Sequence, residues 1–310
     1  MVFIPEASVA IILVNWNGLD FTKACLSSLR QVDFPSYKIF LVDNASQNQE
    51  GQKLKSLFPE LELIQNEENL GFAGGNNMGI RAALVQGFSH VLLLNNDTEV
   101  EPDFLGEMML RIRQQPRLGL VQPLILFLGE KKKIWSAGGK WIPSLGRAVT
   151  LGDREPLAGF RFAKDLDWAT GCCMLISREA LLEVGLLNEQ YFAYFEDVEW
   201  SLRFRAAGFF LGLAERAVIY HEAGAASKKK HAEGVLSPRV FYLHVRNQFF
   251  LLRKSLKGIY VPVGFAYHSL RFVLWLGYFL ARGRFEKMKS VAKGMVDGLT
   301  EPLKSAPKWP

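Results

Sequence analysis

Between Val9 and about Gln115, short apolar runs alternate with longer stretches in which apolar residues recur every three or four positions, as strands feeding helices do. The pattern predicts strands at Val9 to Val14, Lys38 to Val42, Glu62 to Ile64 and His90 to Leu94. Helices are predicted at Asp20 to Gln31, Gln49 to Phe58, Ala73 to Gln86 and Pro102 to Gln115. Strand, helix, strand at this spacing builds a parallel sheet with right-handed crossovers, so the fold class is α/β. From Gly119 to Asp167 the pattern loosens, and Gly138-Gly139 among Pro and aromatic residues predicts hairpins or a long substrate loop. Regularity returns at Trp168 to Ser177, read as a strand, with a short helix from Arg178. A further apolar strand, Ala217 to Tyr220, ends in His221-Glu222.

The strands end in polar groups. Val9 to Val14 runs into Asn15-Trp16-Asn17-Gly18, Ile39 to Val42 into Asp43-Asn44, and Val91 to Leu94 into Asn95-Asn96-Asp97. Each ending alone is compatible with an ordinary Asn/Asp turn. Three together on parallel strands converge on one sheet edge, where open α/β sheets bind ligands. His221 adds a possible metal ligand at another strand end.

Two further segments carry candidate chemistry. Asn69-Leu70-Gly71-Phe72-Ala73-Gly74-Gly75-Asn76 opens a helix after a strand, as a phosphate-cradling loop does. Its G-x-x-G-G spacing departs from the dinucleotide fingerprint and follows the third strand, which argues against a Rossmann dehydrogenase. Glycines that let a helix approach the sheet explain it equally well. The second segment, Tyr191 to Trp200, surrounds Glu196, Asp197 and Glu199 with aromatics at a helix start. Acidic residues suit a helix N-terminus. A carboxylate in a partly apolar pocket also has its pKa raised toward a value useful for general-base work, and aromatic faces suit sugar rings.

Composition bounds these readings. At 310 residues with 49% hydrophobic and 22% charged content, the chain can bury a sizeable core. Net charge is +6, and the positive residues crowd the region after Ser227. Cys25, Cys172 and Cys173 form an odd set without metal spacing, which suits a reducing compartment. Met1 to Ser8 lacks the features of a signal peptide, so a cytoplasmic location is expected.

In order along the chain stand VAIILVNWNG, LVDNAS, NLGFAGGNNMG, LLLNNDTEVEPDFL, ATGCCMLISREAL, YFEDVEWSLRFRAAGF and the strand-end His221, with a fainter echo in Tyr242 to Asn247. Through these stretches the chain resembles inverting family 2 glycosyltransferases of the GT-A fold, most closely their bacterial rhamnosyltransferase branch. The resemblance implies a mainly parallel central sheet flanked by helices, with a C-terminal helical extension. Residues 1–227 would form the catalytic domain, with a nucleotide-binding half at about 1–115 and an acceptor half at about 116–227. Residues 228–310 would form a basic helical region.

The resemblance also implies roles. Asn15, Asn17, Asp43, Asn44, Gly71, Asn76, Asn95, Asn96 and Arg246 would contact the nucleotide-sugar donor. Asp97, in the place of the last DXD aspartate, and His221 would hold a divalent cation, Mn²⁺ or Mg²⁺. Asp197 would be the general base, and Trp168, Gly171, Cys172, Tyr194 and Glu196 would line the acceptor and sugar pocket. The first DXD carboxylate is Asn95 here, so this motif supplies one acidic ligand instead of two. The implied reaction moves a sugar, best L-rhamnose from dTDP-rhamnose, to a glycan or polyprenyl-diphosphate-linked acceptor. A UDP-sugar donor is the alternative, and a non-catalytic nucleotide-sugar-binding protein a third reading.

After Lys228-Lys229-Lys230-His231 comes a predicted helix from Pro238 to about Lys254, then an apolar segment from Ile259 to Leu280 broken only by His268 and Arg271. Its roughly 22 residues just reach the ~20 that a bilayer needs, but Arg271 makes a spanning helix costly. An interfacial or partner-facing helix is therefore expected, held to anionic lipid by flanking Arg253, Lys254, Lys257, Arg282, Arg284, Lys287 and Lys289. The protein would then sit peripherally on the cytoplasmic face of the inner membrane. A core helix, or one packed across a homodimer, remains the alternative. No nucleic-acid-binding motif accompanies the basic charge.

Overall fold

The computed structural model describes residues 8–222, 233 and 235–309. In chain order the elements are β1 (Val9–Asn15), α1 (Leu19–Leu29), β2 (Tyr37–Asp43), α2 (Glu50–Leu57), β3 (Glu62–Gln65), α3 (Gly71–Val85), β4 (His90–Asn95), β5 (Thr98–Val100) and α4 (Phe104–Arg113). There follow β6 (Leu118–Phe127), β7 (Glu130–Ser136), β8 (Gly139–Ile142), β9 (Arg147–Thr150), β10 (Cys173–Ser177), α5 (Arg178–Val184), α6 (Glu196–Ala206) and β11 (Phe210–His221). Three C-terminal helices, α7 (Pro238–Ser255), α8 (Tyr260–Ala281) and α9 (Phe285–Thr300), complete the described elements.

A nine-stranded sheet in the order β3-β2-β1-β4-β10-β6-β11-β5, with β7 on β6, forms the centre. β3, β2, β1 and β4 are parallel, as the alternating pattern predicts. β10 runs against both β4 and β6, β6 is parallel to β11, and β5 and β7 are also reversed. The sheet is thus mixed, with the expected parallel block β3-β2-β1-β4 at one end.

Alternate residues of β1 bury on opposite faces because side chains in a strand alternate. Val9, Ile11 and Leu13 join a core with Cys25, Leu26 and Leu29 of α1 and Phe104, Leu105 and Met108 of α4. Ala10 and Ile12 join the other core, with Ala73, Ile80 and Ala83 of α3 and Trp200 and Phe204 of α6. The glycines of α3 permit this contact: a Cβ on Gly79 would stand 2.5 Å from Ile12 Cγ2, and one on Gly75 2.9 Å from Val14 Cγ1. Close helix packing is therefore the role the structure gives to Gly75 and Gly79.

Three expectations need correction. The loosely patterned stretch contains β6, a ten-residue core strand, before its hairpins β6–β7 and β8–β9. β11 is longer than Ala217 to Tyr220, because a register shift between Ala214 and Val218 bulges Glu215 and Arg216 outward and hides the strand's first half from the pattern. The predicted strand at Trp168 is β only from Cys173. Side chains capture the preceding N–H groups: Ala169 donates to Ser201 Oγ at 3.1 Å, Thr170 to Gln122 Oε1 at 2.9 Å and Gly171 to Asp197 Oδ2 at 3.0 Å. No donors remain there for a ladder.

The boundary expected at 227/228 and the Lys228-Lys229-Lys230-His231 run lie outside the described residues. The C-terminal helices are knitted into the sheet-bearing part of the chain. Leu251 of α7 buries with Trp168 and Val198, and Lys254 Nζ reaches Glu199 Oε1 at 3.3 Å. After α9 the chain returns: Leu186 N–H donates to Pro307 O, Asn188 Nδ2 to Lys304 O and Gln190 Nε2 to Pro302 O.

Candidate active site

The ends of β1 and β2 lie side by side, with Asn15 in register with Asp43. Both are buried, and their side chains are bound to one another: Asn15 Nδ2 donates to Asp43 Oδ1 at 2.9 Å, while Asn15 Oδ1 accepts from Thr22 at 2.7 Å. Asp43 Oδ2 takes a hydrogen bond from Gln65 Nε2 at 2.7 Å. Asn44 is also saturated. It donates to Asn69 Oδ1 and Gly71 O, and accepts from Asn66 Nδ2 and Leu70 N–H. These residues shape the strand ends from within, while half-buried Asn17, Asn95, Asn96 and Asp97 border the surface. Trp16, 50% exposed between Asn15 and Asn17, presents an indole at the same edge. It is not among the residues expected from sequence, although an aromatic between two strand-end asparagines was the available signal.

The turn after β4 brings Asp97 to His221. β5 pairs with the end of β11 so that His221 stands opposite Thr98. Asp97 Oδ1 lies 3.1 Å from His221 Nε2, and Trp135 packs edge-on against the imidazole with centroids 4.4 Å apart. Burial disfavours charge on His221, yet Cys172 and the Asp97 carboxylate together push its pKa up to about 10. Burial raises the Cys172 thiol and keeps it neutral, so Asp97 is the partner that matters near neutral pH. Cys172 touches His221 with its side chain and accepts Asn95 N–H through its carbonyl at 2.8 Å.

The residue before Cys172 carries the second carboxylate. Gly171 N–H donates to Asp197 Oδ2 at 3.0 Å, and Val198 N–H donates to Asp197 Oδ1 at 2.8 Å. A Cβ on Gly171 would stand 2.8 Å from Phe72 Cζ, so any larger residue would have to push that ring aside. Asp97 with His221, and Asp197, therefore flank consecutive residues whose Cα atoms are about 3.8 Å apart. The two carboxylates expected to act together are thus linked through adjacent residues, Gly171 binding Asp197 and Cys172 touching His221.

Asp197 sits at the start of α6, after a strained approach. Phe192, Tyr194 and Phe195 have φ of 63°, 73° and 69°. Large non-glycine residues there cost on the order of 1–3 kcal/mol each and persist only where their surroundings over-determine them. Beside Asp197, Glu196 is buried and its Oε2 finds no partner. Burial raises both carboxyls, that of Glu196 further because Asp197's charge lies next to it. Two backbone N–H groups favour charge on Asp197, so the pair keeps its proton on Glu196 and its charge on Asp197.

α7 holds this loop in place. Asn247, fully buried, directs its side-chain amide at the carbonyls of Tyr191, Ala193 and Tyr194, each at 2.8 Å. His244 stacks on Tyr194 with centroids 4.2 Å apart. Arg246, expected at the diphosphate, instead donates to Gln190 O at 2.9 Å and Tyr191 O at 3.3 Å, between the rings of Tyr242 and Phe250. Asn247 is a supporting residue that sequence reasoning did not single out; its only signal was the Tyr242 to Asn247 echo.

Other expected site residues are interior. Trp168 is buried with its indole N–H on Lys140 O at 3.2 Å, and Cys172 is buried beneath His221, so neither forms an open acceptor wall. Tyr194 and Glu196 belong to the strained loop. Asn76 is buried in α3, where Nδ2 bonds Phe72 O at 2.9 Å. Gly71, at φ 72°, lies so close to the loop that a Cβ would stand 2.5 Å from Phe192 O.

Polar strand ends, an Asp–His pair and a braced carboxylate meeting on one sheet edge can be compared with known proteins. Haloferax volcanii "Low-salt glycan biosynthesis hexosyltransferase Agl10" is 27% identical over 90% of this chain and 85% of its own length. Shigella flexneri "dTDP-rhamnosyl transferase RfbF" is 24% identical over 95% of this chain and 96% of its own. The Mycobacterium tuberculosis "N-acetylglucosaminyl-diphospho-decaprenol L-rhamnosyltransferase" is 24% identical over 70% and 77%. Among solved structures, a Pyrobaculum calidifontis mannosyltransferase in complex with GDP-Man and Mn²⁺ aligns with TM-score 0.56 at 13% identity over 96% of this chain and 88% of that one. GalNAc-T7 with UDP, GalNAc and Mn²⁺ aligns with TM-score 0.60 at 17% identity over 81% and 48%. The fold is GT-A. The family model described as "Glycosyl transferase family 2" matches residues 10–185, the stretch that carries the polar strand ends and Gly171, and the chain belongs to that family of glycosyltransferases.

Proposed function

We propose that the protein is an inverting hexosyltransferase that moves a sugar, L-rhamnose from dTDP-rhamnose, to a hydroxyl of a polyprenyl-diphosphate-linked or glycan acceptor in surface polysaccharide synthesis. The observation that carries the chemistry is the Asp197 carboxylate, fixed by the Gly171 and Val198 N–H groups beside the Asp97–His221 pair. The names of the Shigella and Mycobacterium relatives support the donor and the lipid-linked acceptor. A lipid-linked acceptor places the reaction at the cytoplasmic face of the inner membrane.

Asp197 is the charged member of its pair and only partly buried, so it takes the proton of the acceptor hydroxyl as that oxygen bonds to the anomeric carbon. The bond from that carbon to the nucleotide diphosphate breaks on the opposite face, which inverts the configuration. Glu196, holding its own proton, keeps a second negative charge away from the attacking oxygen. Asn17 and Asn96 offer amides to the donor, and Trp16 offers a face on which its base stacks.

Asp97 and His221 fit a divalent cation that displaces the proton held between them: one carboxylate oxygen and one imidazole nitrogen face each other at 3.1 Å, and a donor diphosphate and water would complete the shell. A bound cation would supply Lewis-acid stabilisation of the leaving diphosphate. The imidazole favours Mn²⁺ over Mg²⁺. Melting the protein against dTDP-, UDP- and GDP-sugars with and without Mn²⁺ tests donor and metal together, because ligands of the native state raise its melting temperature. Product formation from dTDP-rhamnose is expected. Turnover of UDP-sugars alone would replace the donor assignment.

A further inference from the structure

From Ile259 to Ala281 every exposed position carries an apolar, proline, glycine or tyrosine residue. Leu270, Val273, Leu274, Tyr278 and Leu280 are 63, 52, 64, 50 and 58% exposed, a bare stripe along the outer side of α8. The inner side is covered: Gly264, His268, Phe272 and Phe279 are buried, and His268 Nε2 meets Leu145 O at 3.1 Å. Arg271, which the sequence places in mid-helix, is only partly exposed and lies over the rings of Phe272 and Trp275, so it adds no exposed charge to that stripe. Contiguous bare apolar surface on this scale marks an interaction site.

Charge identifies the occupant. Lys257 and Arg282 are exposed at the two ends of the stripe, and no acidic residue occurs between Glu233 and Glu286. A second copy fits poorly: parallel α8 helices would set Lys257 on Lys257 and Arg282 on Arg282, and antiparallel ones Lys257 on Arg282. Each arrangement opposes like charges. An anionic lipid surface takes the same pattern favourably, with apolar residues in the acyl boundary and cations at the headgroups. Among the described residues no helix is long and apolar enough to cross a membrane. We infer that α8 lies flat on an anionic bilayer, apolar stripe inward and Lys257 and Arg282 among the headgroups. This deepens the proposed function, resting on a lipid-borne acceptor for its purpose, while the surface itself stands on exposure and charge.

The test floats the full chain with phosphatidylcholine vesicles containing or lacking phosphatidylglycerol. The parent protein is expected to float with the anionic vesicles. Leu270→Glu/Leu274→Glu, at exposed positions that leave the interior intact, should weaken that binding about tenfold or more. Lys257→Glu/Arg282→Glu should weaken it in a salt-sensitive manner. Sedimentation and nucleotide-sugar melting shifts are read on the same proteins. A parent that stays with the aqueous fraction overturns the inference, as does a parent dimer that Leu270→Glu/Leu274→Glu dissociates. Either result with donor binding retained leaves the transferase reading standing; loss of donor response in the parent strikes that reading alone.

Discussion

The polar ends of β1 and β2 and the loop before α6 are built in opposite ways. At the strand ends the buried polar groups Asn15, Asp43 and Asn44 are satisfied by one another and by Gln65, Asn66 and Gly71. At the loop, backbone strain accumulates in Phe192, Tyr194 and Phe195, Glu196 Oε2 is left unpaired, and rigidity is supplied from α7. The first region is a finished scaffold that a ligand meets at its rim. The second leaves Glu196 Oε2 without a partner beside an Asp197 held by two backbone N–H groups, and borrows stability from sequence about fifty residues away.

The sharpest way to break this contrast is Asp197→Asn. Turnover should fall about 10²–10⁴-fold while the donor-induced melting shift persists. Near-parental turnover would remove Asp197 as base. Asp97→Ala should come next, abolishing the Mn²⁺-dependent part of the donor melting shift and lowering activity about 10–100-fold; chelator treatment of the parent protein should mimic it. Asn247→Ala takes the side-chain donor from the partly buried carbonyls of Ala193 and Tyr194, while Tyr191 O keeps the Arg246 guanidinium, so stability should fall by about 1–3 kcal/mol in denaturant titration. If Asn247 acts by positioning, kcat should also fall while KM for donor holds; a drop in stability alone would reduce it to packing.

The smallest effect is expected from Glu196→Gln. Because Glu196 already holds its proton, the amide should keep turnover within about threefold. The pH profile supplies the sign. Burial raises Asp197, and a base works only when ionised, so activity should be lost as pH falls through a value above the ordinary aspartate range. The parent's acid limb should sit there and vanish in Asp197→Asn. Burial and the neighbouring charge hold Glu196 higher still, so the folded state binds its proton more tightly than the unfolded one and loses stability as pH rises. Glu196→Gln removes that loss, and its melting temperature at alkaline pH should match or exceed the parent's.

The strands and helices of the parallel block are legible in sequence because buried strands and amphipathic helices each write a period into the chain. β1, β2 and β4 fall within a residue or so of their expected bounds. β6 was obscured because Gln122 and Pro123 interrupt its apolar run; Gln122 is buried and hydrogen-bonded to Ser136 and Thr170, partners no local pattern reveals. Asp97, Asp197 and His221 could be singled out because each ends a strand or begins a helix. The places given to Arg246, Trp168 and Cys172 were harder to read, since a side chain's direction depends on which distant backbone it meets. Asn247 shows the same difficulty: its partners lie 53 to 56 residues earlier.

The strap formed by residues 302–307 has a consequence for biosynthesis. It fastens Leu186, Asn188 and Gln190, just ahead of the twisted approach to Asp197, and translation delivers it after α9 and every other described element. A nascent chain can therefore assemble its sheet and its polar strand ends while the ribosome is still working, yet the Asp197 loop gains its last fastening only once the strap is made. On the proposed reading, nucleotide recognition would precede competence for transfer, and a cut near Thr300 would return the folded chain to that earlier condition.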